Sequence, residues 1–411
     1  MYYKENPKFP EGFMWGASSA AWQVEGGVAD GGRTPAMIDL NSKKKKPYAD
    51  DSICADHYHR YKEDVALMAE CGFSSYRFSI SWSRIIPHSD GKVNPEGIAF
   101  YNDLINELVK NGITPIVTLY HYDLPVWVFE ELGGWKSRKT IDAFDHYVRT
   151  CFENFGDRVK YWLSINEQNM QIVYGHWLGT DAGCIDWEKE QWDINHIMNL
   201  CHAKAVIACH EMVEGGKIGP VPGYVPIYPK TCNPADQIAA MNAEELTEKI
   251  WNDTYVYGEY SNFVKRYWKE KDIHPDIRPE EFALCANPYV EYTDWDWEID
   301  PVGMEYMLRD LYNRYNKPLM ITENGFGAFD TLTADKKVHD DYRIHFLREN
   351  IRAVKRAIDK GVEVIAYCPW SAVDLLSTSN GVEKRYGLIY VDRTDEDPKQ
   401  CERIRKDSFY W

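Results

Sequence analysis

The sequence predicts an α/β protein of the (β/α)8 (TIM) barrel class, with a shortened or missing sixth strand. Two observations predict it. Short apolar, β-branched or aromatic runs alternate with helical patterns from Phe13 to Cys368, and a regular β-then-α order implies a parallel sheet with crossover helices. The order persists toward the chain end without a repeat or low-complexity linker. That favours a closed barrel over an open sheet, and one domain spanning residues 1–411. A length of 411 residues is long for an average domain but ordinary for such a barrel.

The elements follow in order. Phe13–Ala21 reads as the first strand. Tyr58–Cys71 is a helix with apolar Tyr61, Val65, Leu67 and Met68, stopped by Gly72. Ser74–Ser81 is a strand, Pro95–Asn111 a helix ending at Gly112, and Pro115–Tyr120 a strand. Lys139–Phe155 is a helix ending at Gly156, and Val159–Ile165 a strand. Asn195–Val213 is a helix ending at Gly215-Gly216, and Lys217–Tyr224 a strand. Asn242–Lys269 is largely helical. Pro301–Tyr315 is a helix and Pro318–Thr322 a strand; Asp340–Lys360 is a helix ending at Gly361, and Val362–Cys368 a strand. Seven strands read well. The sixth should fall between Lys269 and Pro301, where only the short run Phe282–Ala286 precedes Asn287-Pro288-Tyr289.

Composition narrows the function. Hydrophobic residues make up 44% and charged residues 27%, so a chain of this size buries a large core without staples. A net charge of −17 argues against nucleic-acid or anionic-membrane binding, and an anionic ligand would need a local basic patch. Lys43-Lys44-Lys45-Lys46 lies in a polar stretch and reads as a solvated loop. The acidic Asp392–Asp397 cluster reads as a solvated turn. The ten cysteines contain no CxxC pair, so no structural zinc is expected. His57 and His59 stand at a helix start without a carboxylate pair and do not read as metal ligands. The first seven residues are polar and lack the apolar core of a signal peptide, and no apolar run approaches a membrane span. Together these predict a reducing cytoplasm with free thiols. Aromatics reach 14%, with 15 Trp and 28 Tyr, which suits either sugar faces or a large aromatic core.

In a (β/α)8 barrel, chemistry gathers at the C-terminal ends of the strands. There the sequence places Gln23 and Glu25 after the first strand and Arg77 in the second. His121 and Asp123 follow the third, Asn166 and Glu167 the fourth, Glu323 and Asn324 the seventh, and Trp370 the last. Two carboxylates at strand ends suit glycoside hydrolysis, in which one protonates the leaving oxygen and the other attacks the anomeric carbon. Asn166 would hydrogen-bond a sugar 2-hydroxyl. Arg77 would hold Glu323 ionised, whereas the proton donor should have a raised pKa. An isolated Asn-Glu or Glu-Asn pair is usually solvated surface; the strand ends give these two their weight.

The motifs around these residues resemble glycoside hydrolase family 1, the β-glucosidase-like barrels. The resemblance runs from Phe9 to Trp411 with one gap. It is carried by Phe13-Met14-Trp15-Gly16-Ala17 through Gln23-Val24-Glu25-Gly26, and by Tyr76-Arg77-Phe78-Ser79-Ile80-Ser81-Trp82-Ser83-Arg84-Ile85. Thr118-Leu119-Tyr120-His121-Tyr122-Asp123-Leu124-Pro125, Asn166-Glu167 and Ile321-Thr322-Glu323-Asn324-Gly325 complete it. It implies a retaining mechanism with Glu167 as acid/base and Glu323 as nucleophile, without metal or cofactor. Gln23, His121, Asn166 and Trp370 would line the sugar subsite, with Arg77 steadying the nucleophile.

The run from Asp374 to Gly387 is similar to the phosphate-binding loop of the family's 6-phospho-β-glycosidase branch. Plain β-glucosidases carry a Glu-Trp pair there. Ser377, Lys384 and Tyr386 match the branch's phosphate ligands. The physics agrees: a carboxylate there would repel a sugar phosphate, and Lys384 supplies a local cation. Thr378 favours 6-phospho-β-glucosides, such as cellobiose 6-phosphate, over galactosides, although the loop length looks more like the galactosidase version. The expected partner is a small phosphorylated β-glycoside. A 6-phospho-β-galactosidase and a plain β-glucosidase are the alternatives. Relatives also carry a sixth-strand Asn-Tyr-Tyr or Ser-Tyr-Tyr motif whose tyrosine contacts the nucleophile. Here several dozen residues are absent before Asn287, and Tyr289 and Tyr292 are the nearest substitutes. The gap motivates a reading of another class, a catalytically weakened barrel that only binds sugar phosphates.

Overall fold

The central runs form strands covered on both faces: all five residues of Ser75–Ser79 and six of the seven in Thr114–Tyr120 are buried. The computed structural model describes residues 9–40, 52–257, 260–274, 291–292, 298–378, 380–397 and 399–411. In chain order the strands are β1 Met14–Ser18, β2 Ser75–Ser79, β3 Thr114–Tyr120, β4 Tyr161–Asn166 and β5 Lys217–Val221, then β6 Glu291–Tyr292 and β7 Glu298–Ile299. They continue with β8 Leu319–Asn324, β9 Val364–Pro369, β10 Ile389–Asp392 and β11 Glu402–Arg405. The helices that matter here are α1 His57–Glu70, α2 Pro95–Lys110, α3 Lys139–Phe155, α4 Trp187–Met212 and α5 Pro234–Glu244. They are followed by α6 Ile250–Tyr257, α7 Asn262–Glu270, α8 Pro301–Tyr315 and α9 Asp341–Ile358.

Seven strands form one sheet in the order β5-β4-β3-β2-β1-β9-β8, and every pair in it is parallel. The sheet curls on itself. Ile116 of β3, Leu163 of β4, Val221 of β5 and Cys368 of β9 form one buried cluster with Met320 of β8, although β3 and β9 are not neighbours in the sheet. The fold is therefore a nearly closed (β/α)8 barrel, and β5 and β8 flank the sixth position. Among the described residues no strand pairs with the outer edges of β5 and β8. The run Phe282–Ala286, with Asn287-Pro288-Tyr289 after it, lies outside the described residues, as does Lys43-Lys44-Lys45-Lys46.

Local chemistry sets the element ends. Asn94, Asn233 and Asp300 each accept a backbone N–H of the following helix, and each is followed by proline; cap and proline together satisfy and pre-shape a first turn. The first strand is shorter than expected. Ser79 Oγ accepts from the backbone N of Ala21 at 2.7 Å, which turns Ala21–Val24 into a helical turn carrying Gln23. The fifth strand stops at Val221 because Pro222 has no N–H to continue the ladder. Helix α4 starts at Trp187, ahead of Asn195, with Glu188 and Glu190 in its first turn facing the positive end of the dipole. The stretch Asn242–Lys269 is divided: Glu245–Lys249 is a π turn between α5 and α6, and Ser261 starts α7 by accepting from Val264 N at 3.3 Å.

Much of the aromatic wealth is core. Trp82, Trp162, Trp192 and Trp251 are fully buried, and Trp82 stacks on Tyr147 at 5.2 Å. The C-terminal hairpin β10–β11 was not expected from the strand–helix rhythm, since it lies outside it; the acidic cluster Asp392–Asp397 begins in β10 and runs into the hairpin's connection. Among the described residues, no helix is long and apolar enough to cross a membrane.

Candidate active site

The strand ends converge as the sequence implied. Arg77, fully buried on β2, donates through Nε to Thr118 Oγ1 at 2.7 Å and through a terminal nitrogen to Asn166 Oδ1 at 2.7 Å. Its other terminal nitrogen donates to Glu323 Oε1 on β8. Asn166 Nδ2 in turn donates to His121 Nε2 at 3.3 Å. The His121 ring lies parallel to Trp370, 6.0 Å between centroids. One chain of contacts thus runs Glu323–Arg77–Asn166–His121–Trp370, across strands β8, β2, β4, the end of β3 and the end of β9.

Burial decides the charge states. It pushes the His121 imidazole well below its ordinary range, and the Arg77 guanidinium deepens the effect. His121 is therefore neutral, and with Nε2 accepting from Asn166 its Nδ1 carries the proton. Among the described residues that Nδ1–H has no hydrogen-bond partner, so it is a buried donor available to a ligand hydroxyl. Burial also lowers Arg77, to about 10, still far above neutrality. Glu167 is raised from the ordinary carboxylate range by burial, against the opposing pull of a Tyr122 hydrogen bond and the Arg77 charge. Its Oε1 rests where a Cβ on Gly223 would come within 2.8 Å, so any larger residue there would displace the carboxyl. Glu323 keeps 24% side-chain exposure, so it is not sealed in the core.

Other predicted residues fall beside this chain. Gln23 is buried, and its Nε2 donates to the Leu376 carbonyl at 2.8 Å while its own carbonyl accepts from Leu376 N at 3.0 Å. That exchange ties the first strand end to the loop after β9. In that loop Ser377 Oγ and Tyr386 Oη lie 3.1 Å apart, and Lys384 Nζ sits 5.7 Å from the Tyr386 ring centroid. All three are buried. Room for the lysine comes from Gly327, where a Cβ would meet Lys384 Cγ at 2.4 Å. The bridge between Ala328 and Arg385 joins this loop to the segment after Glu323.

Some candidates have structural partners instead. Glu25 is occupied by Arg84 at 3.1 Å and the Tyr101 hydroxyl at 2.6 Å. Asn324 accepts from the Tyr367 hydroxyl. Asp123 is buried, accepts from His121 N at 3.4 Å, and is pushed up to about 7 by burial against the charge of Arg33. His57 bonds Asp64 at 2.7 Å and His59 bonds Asp56 at 2.6 Å. Two groups were missed by the sequence reading. Tyr122, between two named candidates, donates its hydroxyl to Glu167 Oε2. Lys406, far along the chain, bonds Asp374 at 2.7 Å and also Asp330 behind the 377–386 loop. Tyr122 was signalled by its position after a strand end; Lys406 had no local signal.

Comparison with known proteins agrees with this geometry. The family model described as Glycosyl hydrolase family 1 matches residues 5–289 and 279–411, in two pieces that meet at the sixth-strand gap. The chain is similar to "Aryl-phospho-beta-D-glucosidase BglC" of Bacillus subtilis (strain 168), 39% identical over 466 aligned residues, covering 100% of this chain and 98% of that protein. It is also similar to the "6-phospho-beta-glucosidase" of Dickeya chrysanthemi, 37% identical, covering 99% and 97%. Among solved structures, a β-glucosidase from Thermotoga maritima in complex with castanospermine superposes with a TM-score of 0.88 at 34% identity, covering 98% of this chain and 97% of that one. The paired carboxylates at the ends of β4 and β8, the buried arginine between their strands and these full-length matches have one reading: the chain belongs to glycosyl hydrolase family 1.

Proposed function

We propose that this chain hydrolyses 6-phospho-β-D-glucosides with retention of anomeric configuration, as one catalytic domain over residues 1–411, without metal or cofactor, in the cytoplasm. The observation that carries the substrate is the buried trio Ser377, Lys384 and Tyr386, tied through Leu376 to Gln23 at the sugar subsite. An ammonium beside two hydroxyl groups suits a phosphate, for which it supplies positive charge in a protein of net charge −17. The names of the similar phospho-β-glucosidases point the same way.

In this mechanism Glu167, raised by burial, protonates the leaving oxygen while Glu323 attacks the anomeric carbon. The C–O bond to the aglycone breaks as the bond to Glu323 forms. Glu167, now ionised, takes a proton from water, which attacks the anomeric carbon and releases Glu323. Arg77 holds Glu323 throughout, and Asn166 and His121 address sugar hydroxyls. The test compares p-nitrophenyl β-D-glucoside 6-phosphate with its unphosphorylated counterpart. The phosphorylated substrate should have a kcat/KM at least about 100-fold higher, as two charge-assisted hydrogen bonds of about 1.5–3 kcal/mol each imply. Faster turnover of the plain glucoside would sink the reading, and faster turnover of the galactoside 6-phosphate would replace glucose by galactose.

A second reading has one observation in its favour, the family match that breaks at 279–289. A weakened barrel would bind sugar 6-phosphates in a calorimeter and turn over none of these substrates while folded.

A further inference from the structure

Strand β3 ends at Tyr120, and the next two side chains divide the site. His121 turns to Asn166 and Trp370, and Tyr122 turns to Glu167. Tyr122 has φ 71° and Glu167 φ 41°. Non-glycine residues avoid this region at a cost of about 1–3 kcal/mol each, and persist there only where the surroundings over-determine them. Two such residues just past the ends of different strands, joined by one hydrogen bond, mark an orientation that the fold maintains.

The tyrosine is itself held. Its ring belongs to an apolar cluster with Trp22, Ala36, Val382 and Leu376, and stands edge-on to His121 at 5.0 Å. Only 8% of it is exposed. Packing therefore fixes the ring, and the ring fixes the hydroxyl. The two oxygens of Glu167 are unlike: Oε2 accepts from Tyr122, and Oε1 lies against Gly223.

We propose that Tyr122 is a positioning residue for Glu167: its hydroxyl locks the carboxyl in one orientation and engages one oxygen, leaving the other for proton transfer. The proposal rests on the reading of Glu167 as acid/base. It goes beyond that reading because position 122 is assigned no role by it.

A hydrogen bond donated to a carboxylate is stronger than one donated to a carboxylic acid. Tyr122 therefore opposes the upward push that burial exerts on Glu167. The other charged groups near Glu167 are Arg77 from β2, which also opposes it, Glu248 from the π turn after α5, and Glu323, which shares Arg77. Removing the hydroxyl leaves burial less opposed.

The experiment is the pH profile of kcat/KM for Tyr122→Phe, read on whichever aryl β-glucoside, phosphorylated or plain, the wild type turns over. The alkaline limb reports loss of the acid's proton. It should move up by about one pH unit, the equivalent of one charge-assisted hydrogen bond. With a poor leaving group, which needs the proton, kcat should fall about tenfold, while KM changes less than twofold. A double-mutant cycle separates positioning from general damage. In a Glu167→Gln background, adding Tyr122→Phe should change kcat on an activated aryl glycoside less than twofold. If Tyr122→Phe does not fold, Tyr122→Leu carries the same readouts. An alkaline limb that stays within about 0.2 units of the wild type, or an equal loss of activity in the Gln background, overturns the proposal. Neither outcome bears on the phosphate reading, which fails only if the plain glucoside is the better substrate.

Discussion

Arg77 and Glu323 are bonded across two intervening strands: β2 and β8 are separated in the sheet by β1 and β9. Only a curled sheet allows this reach. The same guanidinium also holds Asn166 and Thr118, so all three of its nitrogens donate. Lysine cannot reproduce that geometry, whatever its charge. If Glu323 is the nucleophile as proposed, Arg77→Met should lower kcat about 10²–10³-fold, the cost of one preorganised donor at that carboxylate. Arg77→Lys should recover little of this. A Lys variant within threefold of wild type would show that charge alone suffices.

The proposed roles of the two glutamates separate by stereochemistry. In Glu323→Ala, the proposed nucleophile is gone, and added azide should attack from its side to give an α-glycosyl azide. In Glu167→Ala, the glycosyl-enzyme still forms with an activated leaving group, and azide should give the β product. Loss of activity without azide should reach about 10²–10⁴-fold for Glu167 and more for Glu323. Nuclear magnetic resonance of the anomeric proton reads the outcome, and a swap of the two products would exchange the roles.

Lys384 is buried against the Tyr386 ring, with Ser377 bonded to the same tyrosine. Lys384→Met keeps the length and removes the cation. On the proposed function it should lower kcat/KM for the phosphorylated glucoside about 10–150-fold, chiefly through KM, because the phosphate is held equally in ground and transition states. Activity on the plain glucoside should change less than twofold. Equal losses on both substrates would place Lys384 in a structural role instead.

The barrel and this site were legible to different depths. Strands were readable where burial on both faces leaves largely apolar runs, as in Thr114–Tyr120. Asn166 and Glu323 were readable because a polar residue at such a strand end has few reasons to be there, and Arg77 because a charge inside a buried strand needs a partner. Contacts that override the pattern at element ends were not: Ser79, 58 residues along the chain, turning Ala21–Val24, or Pro222 ending β5. Long-range pairs were invisible. Lys406 reaches Asp374 and Asp330, and Arg343 of α9 holds the Tyr386 carbonyl at 3.2 Å. These partners lie 32 to 76 residues apart along the chain, and no periodicity marks them. The loop that Lys384 stands in is thus specified by residues that no local motif contains.

The tie between α1 and β11 gives the protein a stability that depends on pH. Asp64 accepts from Arg403 at 2.6 and 2.8 Å and from His57 at 2.7 Å, and all three are buried. Burial alone would raise Asp64; Arg403 and His57 outweigh it and bring the carboxyl down to about 2. An unfolded aspartate titrates near about 3.9. The folded pKa is the lower one, so between these values the unfolded chain binds more protons and stability falls as pH falls. The contribution is whole above about pH 4 and lost as pH drops through about 2; it amounts to roughly 2–3 kcal/mol. Asp64→Asn should remove it and leave the Arg403 charge buried without a counter-ion, a loss of about 3–5 kcal/mol at neutral pH. Urea unfolding at pH 7, 4 and 3 would measure both. The gap between wild type and Asp64→Asn should narrow as pH falls, because only the wild type has this carboxylate to protonate. A constant gap across that range would mean that the helix and the hairpin are held together by packing rather than by this ion pair.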